Sequence, residues 1–169
     1  MAAKSQKTFT ADELSHFIFL SKIEKISRFI FLGTTFLNIL LISVLYISNG
    51  MDNFAFKMYV PAIILYYIFY ILRQTFWVVP KKVSKVVVAL SRKDDIIKIH
   101  TSNYSFLFMS YKGKHYSFSA TEIQVYPQDL SIPYLHYNYE ALCIEKSPEK
   151  YYVLQELFPE DIKDYLLPN

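Results

Sequence analysis

The residues able to do chemistry in this chain are few and scattered. Four histidines, His16, His100, His115 and His136, and a single cysteine, Cys143, are the candidates for metal binding or nucleophilic work. No two histidines stand three or four residues apart, as ligands on one helix face would, and none is close in sequence to Cys143. A zinc site or a Cys–His pair would therefore have to be assembled wholly in three dimensions. His100 and His115 could meet across neighbouring strands, where surface or satisfied core histidines are the usual case. Cys143, between Leu142 and Ile144, reads as a small buried hydrophobe, and a lone cysteine excludes an internal disulfide. The carboxylate pairs Asp94–Asp95 and Glu160–Asp161 fit a turn and a helix start. Three glycines, Gly33, Gly50 and Gly113, are too far apart for a phosphate loop or dinucleotide turn, and no Gly-x-Ser-x-Gly elbow occurs. The sequence thus predicts no enzyme: no catalytic residue, no metal, no cofactor and no small-molecule substrate.

The elements that would position side chains are easier to read. The 169 residues are 53% hydrophobic and 18% aromatic, which excludes disorder. Phe29 to Ile47 is uncharged and, as a helix rising about 1.5 Å per residue, nearly matches a bilayer core of about 30 Å. No histidine lies in it or in the second apolar run, so haem ligation between the spans is excluded. That second run, Met58 to Val79, follows the turn cluster Ser48 to Asn53 and is interrupted only by Arg73 and Gln74. The pattern predicts an antiparallel transmembrane hairpin over 29–79, with helices at about 29–47 and 54–79. Lys22, Lys25, Arg28, Arg73, Lys81, Lys82 and Lys85 flank it on one side and Lys57 alone on the other, so both termini are expected on the positive, matrix-like side.

At about 100° per residue, Tyr59, Ile63, Tyr66, Tyr70, Arg73 and Trp77 share one stripe of the second helix. The hydroxyls of Tyr66 and Tyr70 would find no partner among lipid tails, so the stripe is expected to face protein: the hairpin's own seam or another membrane subunit. Thr34 and Asn38, beside Gly33, offer a small, hydrogen-bonding surface on the first helix. These seven residues, Tyr59, Tyr66, Tyr70, Arg73, Trp77, Thr34 and Asn38, form the candidate membrane interface.

Residues 1–28 read as an amphipathic segment. Thr10 with Glu13 has capping-box spacing and Phe9 with Leu14 staple spacing, predicting a helix from about Ala11 whose inner face carries Leu14, Phe17, Ile18 and Ser21. It looks like neither a secretory signal nor an Arg-rich presequence, and is expected to lie on a membrane surface or a partner. From Pro80 to Asn169 the period becomes that of strands. Val83–Leu90 with Ile97–Thr101, Phe106–Ser110 with His115–Ser119 around Gly113, and Tyr137–Glu145 with Tyr151–Gln155 read as three hairpins, and Pro159–Leu166 as a closing helix. The fold class is an α+β membrane protein: an antiparallel two-helix transmembrane hairpin followed by a small antiparallel β domain with a short C-terminal helix.

Charge is distributed unevenly. Residues 80–114 hold eight Lys/Arg against two Asp/Glu, and 115–169 three against nine, which suits a basic half beside a membrane and an acidic half toward a partner. Residues 80–169 are neutral overall, with eleven of each sign, so phosphate-driven nucleic-acid binding is not expected.

Basic-flanked hairpin helices leading through Trp77-Val78-Val79-Pro80 into a valine-rich strand (Val83–Leu90), Ile96–Thr101 and the Tyr137–Tyr152 hairpin resemble, over Phe29–Tyr152, a two-pass mitochondrial inner-membrane family. Its best-known members are assembly factors for the ATP synthase rotor ring and for respiratory complex I. The resemblance implies an inner-membrane location with matrix termini and, as partners, other membrane subunits of a large complex together with lipids. A bias of fifteen lysines against three arginines, rich in Tyr and Phe, fits an AT-rich genome of the kind in which respiratory complexes often carry extra subunits. The expectation is a non-catalytic supernumerary subunit of a respiratory complex. An assembly factor is the first alternative, and a membrane-anchored pleckstrin-homology-like lipid or signal sensor the second.

Overall fold

A computed structural model of the chain describes residues 7–47, 54–107, 109–132, 138–159 and 162–167; at 7, 41–42, 45–47, 54–59 and 63 it describes the backbone alone. Two long helices are followed by antiparallel β-sheets and a short C-terminal helix.

The chain enters as a strand. β1 (Lys7–Thr10) pairs antiparallel with β2 (Val87–Lys93), placing Phe9 opposite Leu90. The backbone stays committed to the β domain for two more residues: Ala11 N–H donates to Val88 O and Asp12 N–H to Leu157 O, both at 2.8 Å. That is why the Thr10–Glu13 capping box does not form. Asp12 caps instead, its Oδ2 accepting the Ser15 N–H at 2.8 Å, a bond that holds its carboxyl below the usual range.

From that cap, α1 (Glu13–Ile47) runs for 35 residues, about 52 Å, without a break at 28. Its first turns bury Phe19, Ile23 and Ser27 against the β domain, with Phe19 edge-on to Tyr139 at 5.1 Å. Leu14, Phe17 and Ile18, the expected inner face, are exposed. Apolar residues occupy both sides of this stretch, so periodicity alone selects no face. Residues 7–28 thus belong to the β domain as an edge strand and a packed helix.

α2 (Phe54–Arg73) returns beside α1, passes into a π-helical turn, Gln74–Val78, and ends in α3 (Val79–Val83), whose Val79, Pro80 and Val83 are buried. Phe76 anchors the return, its ring 5.8 Å from Phe31 on α1 and 5.7 Å from Phe106 in the β domain.

β3 (Ile96–Thr101) continues the first hairpin from β2, across a turn in which Asp94 takes a positive φ of 53°. The second expected hairpin is paired differently. β4 (Tyr104–Phe106) folds onto β5 (Met109–Tyr111), while β6 (His115–Ser119) pairs with β3, giving a four-stranded sheet β1-β2-β3-β6. Gly113 has no positive φ; a Cβ there would sit 2.0 Å from Thr101 O. Close approach to β3, and not turn conformation, requires the glycine.

β7 (Gln124–Pro127), β10 (Ala141–Lys146) and β11 (Glu149–Leu154) form a second sheet, and the β10–β11 connection is two residues, Ser147–Pro148, where five were expected. Between β7 and β10, β8 (Leu130–Ser131) pairs with β9 (Asn138–Tyr139). A parallel bridge from Val86 to Tyr152 joins the two main sheets. Leu90, Ile97, Ile99, Phe118, Leu142, Ile144, Tyr151 and Val153 fill the core. α4 (Ile162–Leu166) closes it, with Tyr165 against Phe9 at 4.7 Å and its hydroxyl bonded to the backbone of Arg92.

Candidate interaction surface of the helical pair

The paired helices carry an unusual amount of uncovered apolar surface. Phe29 (78% exposed), Leu32, Phe36, Leu37, Leu40, Leu65 and Phe69 face outward, and large exposed apolar side chains in such number mark an interaction surface. Among the described residues one helical stretch, Val60–Val83, is long and apolar enough to cross a bilayer; its 24 residues rise about 36 Å.

The structure divides the predicted interface in two. Thr34 and Asn38 lie at the seam between α1 and α2, lining with Phe31, Ile39, Ile68 and Ile71 an apolar groove of about 340 Å³. Asn38 is 7% exposed, and its Nδ2 donates to Thr34 O at 2.7 Å. Along α2 and the π turn that follows it, Ile64, Ile71 and Thr75 turn inward, whereas Tyr66 (72% exposed), Tyr70 (42%), Arg73 and Trp77 (69%) turn outward. Neither tyrosine hydroxyl has a hydrogen-bond partner among the described residues. The stripe is therefore not the hairpin's own seam. The side chain of Tyr59 lies outside the described residues.

The π turn at the end of α2 stores polar groups. Gln74 Oε1 and Thr75 Oγ1 are buried without a hydrogen-bond partner among the described residues, while the Phe76 carbonyl accepts from the Tyr111 hydroxyl at 3.2 Å. This bond joins β5 to the end of the helical pair.

The candidate reactive groups fall elsewhere and apart. His100 and His115 stand opposite each other on β3 and β6 with rings stacked at 3.9 Å; burial and the neighbouring imidazole lower the pKa of His100. Cys143 is buried, and desolvation pushes its thiol up, away from nucleophilic use. On the same sheet face Lys150 donates to the Tyr126 hydroxyl at 2.8 Å and lies 3.4 Å from Glu145, to which Tyr126 donates. The Tyr126 bond pulls Glu145 down and Lys150 up, so both stay charged. His136 lies outside the described residues, and among the described residues no three His, Cys, Asp or Glu gather as metal ligands.

One polar pair was not legible in the sequence. His16 Nε2 lies 2.9 Å from Ser102 Oγ, 86 residues away, and Ser102 donates to Asn103 O. Burial lowers the pKa of His16. Its other ring nitrogen has no partner among the described residues to orient it as a base, and Ser102 is fully buried, so the pair is a tether between α1 and the β3–β4 loop. Compared with known proteins, the chain matches no family model, no curated protein and no solved structure.

Proposed function

We propose that the chain is a membrane-anchored, non-catalytic accessory subunit of a large membrane complex, placed by its layout resemblance in a mitochondrial respiratory complex. The outward stripe on α2 carries the reading. Tyr66, Tyr70 and Trp77 are large side chains with polar tips, turned away from the chain's own seam, and buried phenol hydroxyls seek a hydrogen-bonding partner. A neighbouring transmembrane helix supplies such groups; lipid tails do not. On this reading α1 and α2 form a hairpin in the bilayer, and the first turns of α1 hold the β domain against the matrix face. The same anchor would serve an assembly factor, which differs in being present only while the complex is built.

Alkaline extraction and cysteine labelling test the topology. In a Cys143→Ala background, cysteines placed at Asn49 and at Ser147 should be labelled from opposite sides of the membrane, and the chain should resist carbonate. Labelling of both from one side contradicts the hairpin. Comigration at fixed stoichiometry with one complex distinguishes a subunit from a substoichiometric assembly factor.

A further inference from the structure

We propose that a basic pocket just beyond α3 binds the phosphate of an anionic phospholipid headgroup; this rests on the membrane reading above. The pocket, about 490 Å³, is lined by Lys85, Lys112 and Lys114 together with the hydroxyl residues Ser84, Ser110 and Tyr111. One carboxylate shares it, Glu149, which is already engaged: Lys85 Nζ lies 2.9 Å from its Oε2, and the Tyr151 hydroxyl donates to it. These contacts hold Glu149 below the usual carboxylate range, so it stays anionic and cancels one of the three ammonium groups. Lys112 and Lys114 are exposed, and their ammonium groups make no hydrogen bond or ion pair among the described residues, although the charge of Lys114 is close enough to help hold Glu149 down. Two positive charges thus remain in a concave site beside the Ser110 hydroxyl, those of Ser84 and Tyr111 being donated to Lys81 O and Phe76 O, and this suits a phosphate ester.

Position selects the source of that phosphate. Tyr111 is bonded to Phe76 in the π turn that ends α2, and exposed Trp77 follows it. Ser84 comes immediately after α3, whose five residues rise about 7.5 Å, close to the thickness of one headgroup layer outside the hydrocarbon core. A pocket opening at that level meets headgroups before it meets soluble anions.

The test uses the full chain in nanodiscs of phosphatidylcholine alone or with phosphatidylglycerol, followed by re-extraction and native mass spectrometry of the retained lipid. Phosphatidylglycerol should be retained about tenfold over phosphatidylcholine, a preference lost in Lys112→Gln/Lys114→Gln. Lys93→Gln/Lys98→Gln, which removes equal charge away from the pocket, should keep it. Equal retention of the two lipids, or an equal loss in both double variants, overturns the site. Displacement of the lipid by millimolar inorganic phosphate in detergent would mark a soluble-anion pocket and overturn the lipid assignment. A wild-type chain that never enters the nanodisc overturns the membrane reading itself, and the lipid as ligand with it.

Discussion

The hydroxyl of Tyr111 donates to the carbonyl of Phe76 at 3.2 Å, and this bond ties the small β4–β5 hairpin to the last turns of the helical pair. The Phe76 ring is clasped between Phe31 and Phe106, so apolar packing and one polar tie act at the same junction. Tyr111→Phe keeps the ring and removes the tie. It should cost about 1 kcal/mol, read as a lower midpoint for thermal unfolding of the full chain in detergent.

Thr75 makes the opposite case. Its buried Oγ1 has no partner among the described residues, so Thr75→Val removes a desolvated hydroxyl while keeping the branched shape. Stability should rise or stay within about 1 kcal/mol of wild type in the same unfolding measurement. A larger loss would mean that the hydroxyl is satisfied by water or by a neighbouring subunit.

Gly113→Ala should destabilise the β domain by about 1–3 kcal/mol, because its Cβ would fall 2.0 Å from Thr101 O and the rigid β3 backbone must give way. Near-wild-type stability in denaturant titration would show that the loop can swing clear.

Stability should fall on acidification below neutrality. The pKa values of His16 and His100 are lowered in the folded chain from 6.5, in each case first by burial, and for His100 also by His115. The unfolded chain therefore takes up protons first. The contribution is fully present above pH 6.5 and is lost as pH falls through the depressed folded values. The slope of unfolding midpoint against pH between 7.5 and 5 should shrink in His16→Gln; an unchanged slope would assign the effect to other groups.

Particular residues show what the sequence could and could not convey. Strands from Val87 to Thr101 and from Ala141 to Leu154 were legible because β-branched runs and alternation are local. The pairing of β6 with β3 instead of with the strand before Gly113 was not, since register between distant strands depends on packing that periodicity does not encode. β1 is not legible because four residues carry too little pattern, and Asp12 replaces Thr10 as the cap because Ala11 and Asp12 are bonded to Val88 and Leu157. The stripe of Tyr66, Tyr70 and Trp77 was visible at helical spacing. Whether it turns inward depends on how the helices pack, and the structure buries Ile64, Ile71 and Thr75 instead.

Mild-detergent native electrophoresis of the wild-type chain beside Tyr66→Ala/Tyr70→Ala tests most directly whether that outward stripe holds the chain in a larger complex. The wild type should comigrate with one complex at fixed stoichiometry, and so should Tyr66→Phe/Tyr70→Phe, which keeps the bulk and gives up only the hydroxyls. The alanine pair should remain inserted in the membrane but run free of the complex. A wild-type chain that migrates alone, or an alanine pair that stays bound at wild-type stoichiometry, would contradict the account.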